Sequence, residues 1–529
     1  MNFLEKFLAK KRNSMVFLAL LTFMVYMPVM HGDYVLDDYS YIVNNEYVHD
    51  LNHVQQIYTH TTQGASDASG NYYRPNQSLS HAFIYRFVGT GAPAQHIFSI
   101  LIHVINVCLL FVFLGLLGFL NLPAFIAAAI FAVHPINTEA VAYISGLGDP
   151  LSMLFILSAG ISYLYYKRES KIHYAVFTFG SVVLALFSKE SSIMLMVLLL
   201  LIELYLQPSK VYIKKPEIFI LGTVVFLCAV FAFLRSTDST NLSSATNEYT
   251  QSLWIRGITF CAIFPRYMGM LIFPVSQYFD KPYSVYISLR ALGFGGLMML
   301  GAFAYLFYNS FKTTRILMLG IGSFFAFLLP VSGIIPNDAI YSEHWLYLPF
   351  IGVSIAIAML LQNAKSKVKN TLVLLAGILI IGYSAKAGYR NAQWADPILF
   401  YKNEIKFNNK SARSYHNLAL VFSEKKEYNS AAKYYSLAIS IHDVYPQTHH
   451  LLAQTYLQLN QVNKAIVEEY KALQLQPNFK PSLNRLVEIY TTLKDEKRAS
   501  AFSKLIELEQ LGQMPDWNEI RAIQNNEKP

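Results

Sequence analysis

Two adjacent carboxylates, Asp37 and Asp38, stand in Asp33-Tyr34-Val35-Leu36-Asp37-Asp38, directly after the first long apolar run of the chain. Paired acids at such a boundary can supply a general base or ligate a divalent cation; helix capping and solvation are the plain alternatives. Tyr72-Tyr73-Arg74-Pro75 adds a cation. His134-Pro135 leads to Glu139, and ten residues later Asp149 precedes Pro150, where it also suits a helix N-cap. Ser188-Lys189-Glu190-Ser191 interrupts what is otherwise one apolar region. Charges beside hydrocarbon are costly enough to mark function by default, with a snorkelling loop pair as the alternative. Arg266, Glu343 and His344 complete the set, the last two opening Ser342-Glu343-His344-Trp345. Cys108, Cys228 and Cys261 lie in apolar runs and read as small buried hydrophobes, so neither a disulfide framework nor a zinc site is expected.

The elements that must position these groups follow from composition. The chain has 529 residues, 54% hydrophobic and only 14% charged, against about 25% charged in soluble chains; a purely soluble enzyme is not expected. Of its 75 charged side chains, 31 fall in residues 401–529, so lipid surrounds the first part and water the second. A bilayer core needs about 20 apolar residues per helix. Eleven spans are expected, near 14–30, 95–118, 121–136, 148–166, 172–188, 191–207, 217–234, 287–308, 315–333, 345–362 and 371–387. The first reads as an uncleaved helix, because no small-residue cleavage site follows it. Stretch 254–275, with Arg256, Pro265, Arg266 and Pro274, is expected to be a broken, re-entrant or in-plane helix.

Short loops rich in Lys and Arg stay cytoplasmic. The N-terminus, Lys167 to Lys171, Lys210 to Lys215, Lys312 to Arg315 and Lys365 to Lys369 all fall on one side of an eleven-span count. The net charge of +9 therefore marks orientation, and nucleic acid is not expected as a partner. Loop 31–94, the loops around 136–148, 188–191, 235–286 and 334–344, and the charged C-terminal part are then extracytoplasmic. The acids and bases gather at that interface. A transporter would place them near midplane; an enzyme using a lipid-linked substrate would place them where a phosphate head group sits.

Residues 412–529 carry a repeat of period 34: Ala419, Ala453 and Val487; Ala431, Ala465 and Ala499; Ala438, Ala472 and Ile506. Leu418, Leu452 and Leu486 sit beside Phe422, Tyr456 and Tyr490, and Pro477 closes the second unit. Small residues let paired antiparallel helices approach, which is the tetratricopeptide (TPR) pattern. Such solenoids present a concave face to peptides or proteins.

In order, Leu36-Asp37-Asp38 with Asn44-Asn45, Tyr73-Arg74-Pro75, His134-Pro135 through Thr138-Glu139-Ala140-Val141-Ala142, Gly148-Asp149, Lys189-Glu190, Glu343 to Pro349, Arg390 to Trp394 and the repeat array cover nearly the whole chain. Together they resemble the transmembrane-and-TPR protein O-mannosyltransferases, within the multi-span C-type glycosyltransferases. His344, and Leu147-Gly148 before Asp149, depart from the Arg and the Arg-Ala-Asp usual in that family, and the array is shorter, which points to a bacterial relative. The resemblance implies an all-α fold: a glycosyltransferase membrane domain over 1–388, a linker helix over 389–411 and about three TPR repeats over 412–529. It implies a multi-pass protein of a bacterial inner membrane, a polyprenyl-phosphate sugar as donor, a protein Ser/Thr hydroxyl as acceptor, and one inverting displacement on the outer face.

Roles follow as expectations. Asp37 accepts the hydroxyl proton, with Asp38 as neighbour or substitute. Lys189, Arg266, Arg74 and His344 receive the departing phosphate. Glu139, Asp149, His134, Glu190 and Glu343 line the sugar or acceptor pocket, with carboxylates such as Glu139 stabilising charge on the ring. No metal or other cofactor is expected for a monophosphate donor; a diphosphate would favour a divalent cation on Asp37, Glu139 and Asp149. The competing readings are an oligosaccharyltransferase, a lipid- or polysaccharide-modifying transferase of the same fold, and a non-catalytic membrane scaffold presenting the TPR arm.

Overall fold

The computed structural model describes residues 10–62, 72–206, 222–229, 252–281, 286, 291–335, 339–510 and 515–525. Helices, turns and loops make up these residues, with no strand among them. The chain divides into two compact units, Met1–Asp396 and Pro397–Pro529.

In the first unit the helices are, in order, α1 (Lys11–Tyr26), α2 (Val54–Thr59), α3 (Pro75–Phe87), α4 (Ala92–Leu116), α5 (Asn121–Val133), α6 (Asn137–Ala142), α7 (Gly148–Glu169), α8 (Ile172–Leu186), α9 (Leu195–Leu206), α10 (Leu253–Ile272), α11 (Ala291–Thr313), α12 (Arg315–Leu328), α13 (Phe350–Asn363) and α14 (Ser366–Ala395). Six described segments are long and apolar enough to cross a membrane: Lys11–His31, Ala92–Leu116, Ile144–Glu169, Leu253–Ile272, Leu292–Thr313 and Ser366–Ala395. Five of them are among the eleven expected spans. The other expected spans contain shorter apolar helices where they are described, and most of 217–234 lies outside the described residues, as does Lys210 to Lys215.

At the centre lies α5, buried almost throughout from Pro123 to Val133. Its alanines (Ala124, Ala127, Ala128, Ala129, Ala132) present little bulk, so α1, α4, α13 and α14 all pack against it. Small residues serve helix contacts in this way where lipid removes the usual hydrophobic drive. The α12–α13 crossing is tighter still: a Cβ on Gly352 would stand 2.3 Å from the Gly320 carbonyl oxygen.

Stretch 254–275 differs from expectation in one respect. It is a single unbroken helix through Ile272, despite Pro265. The carbonyl of Cys261, four residues before that proline, loses its helical donor. Gly296 of α11 packs onto it, where a Cβ would come within 1.7 Å of the oxygen. Both ends of α10 meet the same end of the bundle. Arg256 Nε donates to the Gly333 carbonyl beyond α12 (2.6 Å), and His134 Nε2, beyond α5, lies 3.1 Å from the Leu271 carbonyl.

In the second unit are α15 (Pro397–Phe407), the hairpins α16 (Ala412–Glu424) with α17 (Tyr428–Ile441), α18 (Pro446–Gln458) with α19 (Val462–Leu475), and α20 (Lys480–Thr492) with α21 (Glu496–Gln510), and then α22 (Trp517–Gln524). The stretch read as one linker helix, 389–411, is divided: α14 continues to Ala395 and a new helix starts at Pro397. Proline removes a backbone donor and suits a first turn. The repeat alanines Ala419, Ala431, Ala438, Ala453, Ala465 and Ala472 are all buried. Lys426, Asn460 and Lys494, 34 residues apart, all take positive φ (62°, 58° and 59°) just after the first helix of each pair. The array ends on α22, whose Ile520 and Ile523 complete the core with Tyr470, Phe502 and Leu505. Asp516 and Glu519 form a capping box at its start.

Candidate functional site

The first acidic pair is sorted by its backbone. Leu36 takes φ +53°, a left-handed conformation that turns the chain sharply before the two aspartates. Asp38 is fully buried. Its Oδ2 accepts from the Val35 amide (3.1 Å), and its Oδ1 accepts from both the amide (2.8 Å) and the hydroxyl (2.5 Å) of Ser145. Burial pushes its carboxyl up to about 7 against the pull of these donors. Asp37 is only half-buried. Its charge acts on Tyr143, whose phenol is raised well above its ordinary range first by burial and then by Asp37 and Asp38. Tyr143 stacks on Trp394 (5.6 Å between centroids, 25° between planes) and meets Phe279 edge-on (5.4 Å).

Three expected cations have carboxylate partners that the sequence did not reveal. Lys189 Nζ lies 2.7 Å from Asp149 Oδ2, both side chains buried. Arg74 grips Glu190 with two parallel bonds, Nε to Oε2 (3.0 Å) and Nη2 to Oε1 (2.7 Å), and lies over the Tyr72 ring (4.6 Å). Such forked pairs add orientation as well as energy. The α3 start is sewn to the α8 end: Asn76 Nδ2 donates to the Leu184 carbonyl (2.8 Å), and the Asn76 amide to that of Phe187 (3.1 Å).

The third cation, His344, belongs to a second group. Its Nδ1 lies 2.5 Å from Glu139 Oε1, which also accepts from Ser342 Oγ (2.5 Å); Glu139 Oε2 accepts from the Glu343 amide (3.3 Å). Burial would raise the Glu139 carboxyl, but His344, Lys281 and Ser342 together hold it below the usual carboxylate range. Glu343 is buried against Lys281 Nζ (2.9 Å) and Gln277 Nε2 (2.9 Å). Arg266 has phenol partners instead: Nη1 donates to Tyr341 (3.3 Å) and Nη2 to Tyr286 (3.1 Å). Among the described residues, no carboxylate pairs with it. Both ring nitrogens of His134 have backbone partners: Nε2 faces the Leu271 carbonyl and Nδ1 accepts from the Ile136 amide (3.2 Å).

Segment 134–149 joins the two groups. Pro135 O accepts from Gln277 Nε2 (2.7 Å), Glu139 serves the second group, and Tyr143, Ser145 and Asp149 serve the first. The groups also communicate through rings, from Tyr143 to Phe279, and from Lys281 over Tyr341 to Arg266 over that same ring (both 5.7 Å). Sequence reasoning passed over Tyr143, Ser145, Gln277, Lys281 and Ser342. Lys281 alone carried a signal, as a lysine in a loop read as extracytoplasmic. Asp37, Glu139 and Asp149 do not converge, and no group of three or more metal-ligating side chains occurs among the described residues.

A tetratricopeptide repeat profile matches residues 412–442 and 446–479. The chain is 27% identical to "Protein O-mannosyl-transferase F38B6.6" of Caenorhabditis elegans, over 82% of this chain and 64% of that one. It is 24% identical to "Protein O-mannosyl-transferase TMTC3" of Mus musculus, over 90% of this chain and 57% of that one. It is 23% identical to "Protein O-mannosyl-transferase TMTC4" of Homo sapiens, over 76% and 63%. The resemblance drawn from the ordered motifs is thus borne out. The chain spans less than two thirds of the length of these relatives.

Proposed function

We propose that this chain is a multi-pass membrane glycosyltransferase that moves a sugar, mannose by analogy with its relatives' names, from a polyprenyl phosphate to a protein Ser/Thr hydroxyl. In this reading the chain crosses a bacterial inner membrane eleven times, with loop 31–94 and the TPR repeats extracytoplasmic. The acceptor hydroxyl gives its proton to Asp37 as its oxygen attacks the anomeric carbon. The bond from that carbon to the phosphate oxygen breaks, and the phosphate leaves with the electron pair. Attack opposite the leaving group inverts the centre. Arg266 receives the phosphate, having no competing carboxylate among the described residues. Glu139, held ionised, faces the charge that develops on the sugar ring. Lys189 and Arg74 act mainly through their acid partners, holding the ends of α3, α7 and α8 in register. The TPR unit captures the acceptor.

The observation that carries this reading is the sorting of Asp37 from Asp38: one carboxylate is half-buried beside the Tyr143 phenol, and its twin is fully buried and takes three donors. The test is transfer of mannose from a polyprenyl-phosphate mannose to an acceptor peptide by purified protein, with and without a chelator. Asp37→Asn should lower kcat by about 10²–10⁴-fold with membrane insertion intact, and the chelator should change nothing. Full activity in Asp37→Asn would overturn the base assignment. Glycopeptides lost from deletion cells would separate a protein acceptor from a lipid or polysaccharide one.

A further inference from the structure

Tyr143 stands between the two aspartates and the aromatic rings behind them. The turn after α6 fixes its backbone: the Tyr143 amide donates to the Glu139 carbonyl (3.3 Å), and the Gly146 amide to the Tyr143 carbonyl (2.9 Å). Two residues on, Ser145 holds Asp38 by its amide and its hydroxyl (2.8 and 2.5 Å). That anchor brings the adjoining Asp37 to the Tyr143 side chain. The backbone of Asp37 is held as well, its carbonyl accepting from the Tyr41 amide (2.9 Å) and the Ser40 hydroxyl (3.0 Å). These bonds fix the main chain of the base; its carboxylate needs a holder of its own.

The Tyr143 ring cannot turn away. It stacks on Trp394 (5.6 Å, 25°), and Phe279 meets both rings edge-on (5.4 and 6.3 Å). Trp394 is 1% exposed and Tyr143 5%. A ring so clamped keeps one freedom, rotation of its hydroxyl hydrogen. That hydroxyl is buried and has no partner at ordinary hydrogen-bond geometry among the described residues. A buried donor left in that state is costly. Three donors already occupy Asp38. Asp37 is near enough to add to the effect of burial on the phenol, by charge and by hydrogen bonding. The Tyr41 phenol also feels Asp37, but less than it feels Arg74.

We propose that Tyr143 is the positioning residue of the base: its hydroxyl donates to one oxygen of Asp37 and turns the other toward the acceptor hydroxyl. Such bonds are often long in a free enzyme and tighten when substrate is bound. A base must lie in line with the proton it takes, and a small misplacement costs rate. Burial keeps the phenol protonated, so it serves as a hydrogen-bond donor to the carboxylate beside it. Trp394 and Phe279 act from behind, by keeping the ring still. This inference rests on the reading of Asp37 as the base.

The test is a double-mutant cycle in the mannose-transfer assay. Tyr143→Phe keeps the ring and removes only the oxygen. It should lower kcat by about 10–100-fold, the worth of one hydrogen bond to a charged group, with the donor KM unchanged. In an Asp37→Asn background the same change should cost nothing further, because the group it positions is gone. An unchanged kcat in Tyr143→Phe, a donor KM that rises in step with the loss, or an equal loss in both backgrounds overturns the inference. Full activity in Asp37→Asn overturns the base assignment itself; loss there beside an unaffected Tyr143→Phe overturns this inference alone. Where Tyr143→Phe does not fold, a fluorotyrosine at position 143 of the otherwise unchanged chain should give a fluorine resonance that moves on Asp37→Asn. An unmoved resonance overturns the inference equally.

Discussion

Ser145 gives both its backbone amide and its hydroxyl to one oxygen of Asp38, a residue 107 positions earlier in the chain. The loop that carries Asp37 is thereby fastened to the segment that carries Glu139, Tyr143 and Asp149. Ser145→Ala should destabilise the membrane unit by about 1–3 kcal/mol, the cost of leaving a buried acceptor without its donor. Because Asp37 is positioned through this link, kcat should fall more than the donor KM changes. Thermal unfolding in nanodiscs and steady-state transfer read the two effects, and equal shifts in kcat and KM would contradict the positioning role.

The raised carboxyl of Asp38 makes stability depend on pH. Folding favours its protonated form, so its contribution is complete below the ordinary carboxylate value of 3.8 and is lost as pH rises toward about 7. The melting temperature should fall across that window. Asp38→Asn, which has no proton to lose, should flatten that part of the curve; an unchanged slope would mean that other groups set it.

Lys189 and Asp149 form a pair with little water around it. Lys189→Ala leaves a buried carboxylate alone and should cost about 3–5 kcal/mol, most of which Lys189→Met with Asp149→Asn should restore. If the restored double variant still binds polyprenyl phosphate like the parent, Lys189 is architectural. If its affinity stays low, the lysine also touches the donor.

Arg266 is held by two phenols. Arg266→Ala should lower kcat by about 10²–10³-fold, as loss of a donor to developing negative charge does, and Arg266→Lys should recover part of it. Stopped transfer in both variants with unchanged polyprenyl-phosphate affinity would move the phosphate site to another cation.

In the TPR unit, both ring nitrogens of His449 face carboxylates, Glu468 (2.6 Å) and Asp443 (2.7 Å), so both donate only as the imidazolium. Burial disfavours that charge, but the two carboxylates outweigh it and raise the histidine above its ordinary 6.5. Its contribution is full below that value and lost as pH rises through the raised one. Hydrogen exchange in α18 and α19 should therefore be slower in the parent than in His449→Gln at pH 6, and the difference should shrink at pH 9. A constant difference would refute the charge dependence.

Much of this was legible along the chain. The apolar runs that became α4, α7 and α14, the 34-residue spacing of the alanines, and the set of polar residues at one end of the bundle are periodic or compositional, and such signals survive without coordinates. Pro265 misled, because a break was expected where Gly296 covers the freed Cys261 carbonyl. Its cause lies in a different helix.

By itself, then, the sequence determined the all-helical class, the solenoid and which side chains could do chemistry, because helix period and hydropathy are local properties. Only the tertiary structure decided what state those side chains are in. Asp37 and Asp38 are chemically identical neighbours, and so, to a reader of sequence, are Lys189 and Arg266 as cations. The φ of +53° at Leu36, and partners 107, 40 and 75 residues away (Ser145, Asp149 and Tyr341), leave Asp37 half-buried, Asp38 locked, Lys189 paired and Arg266 on phenols. Burial and charge pairing depend on distance in space, and spacing along the chain does not encode it.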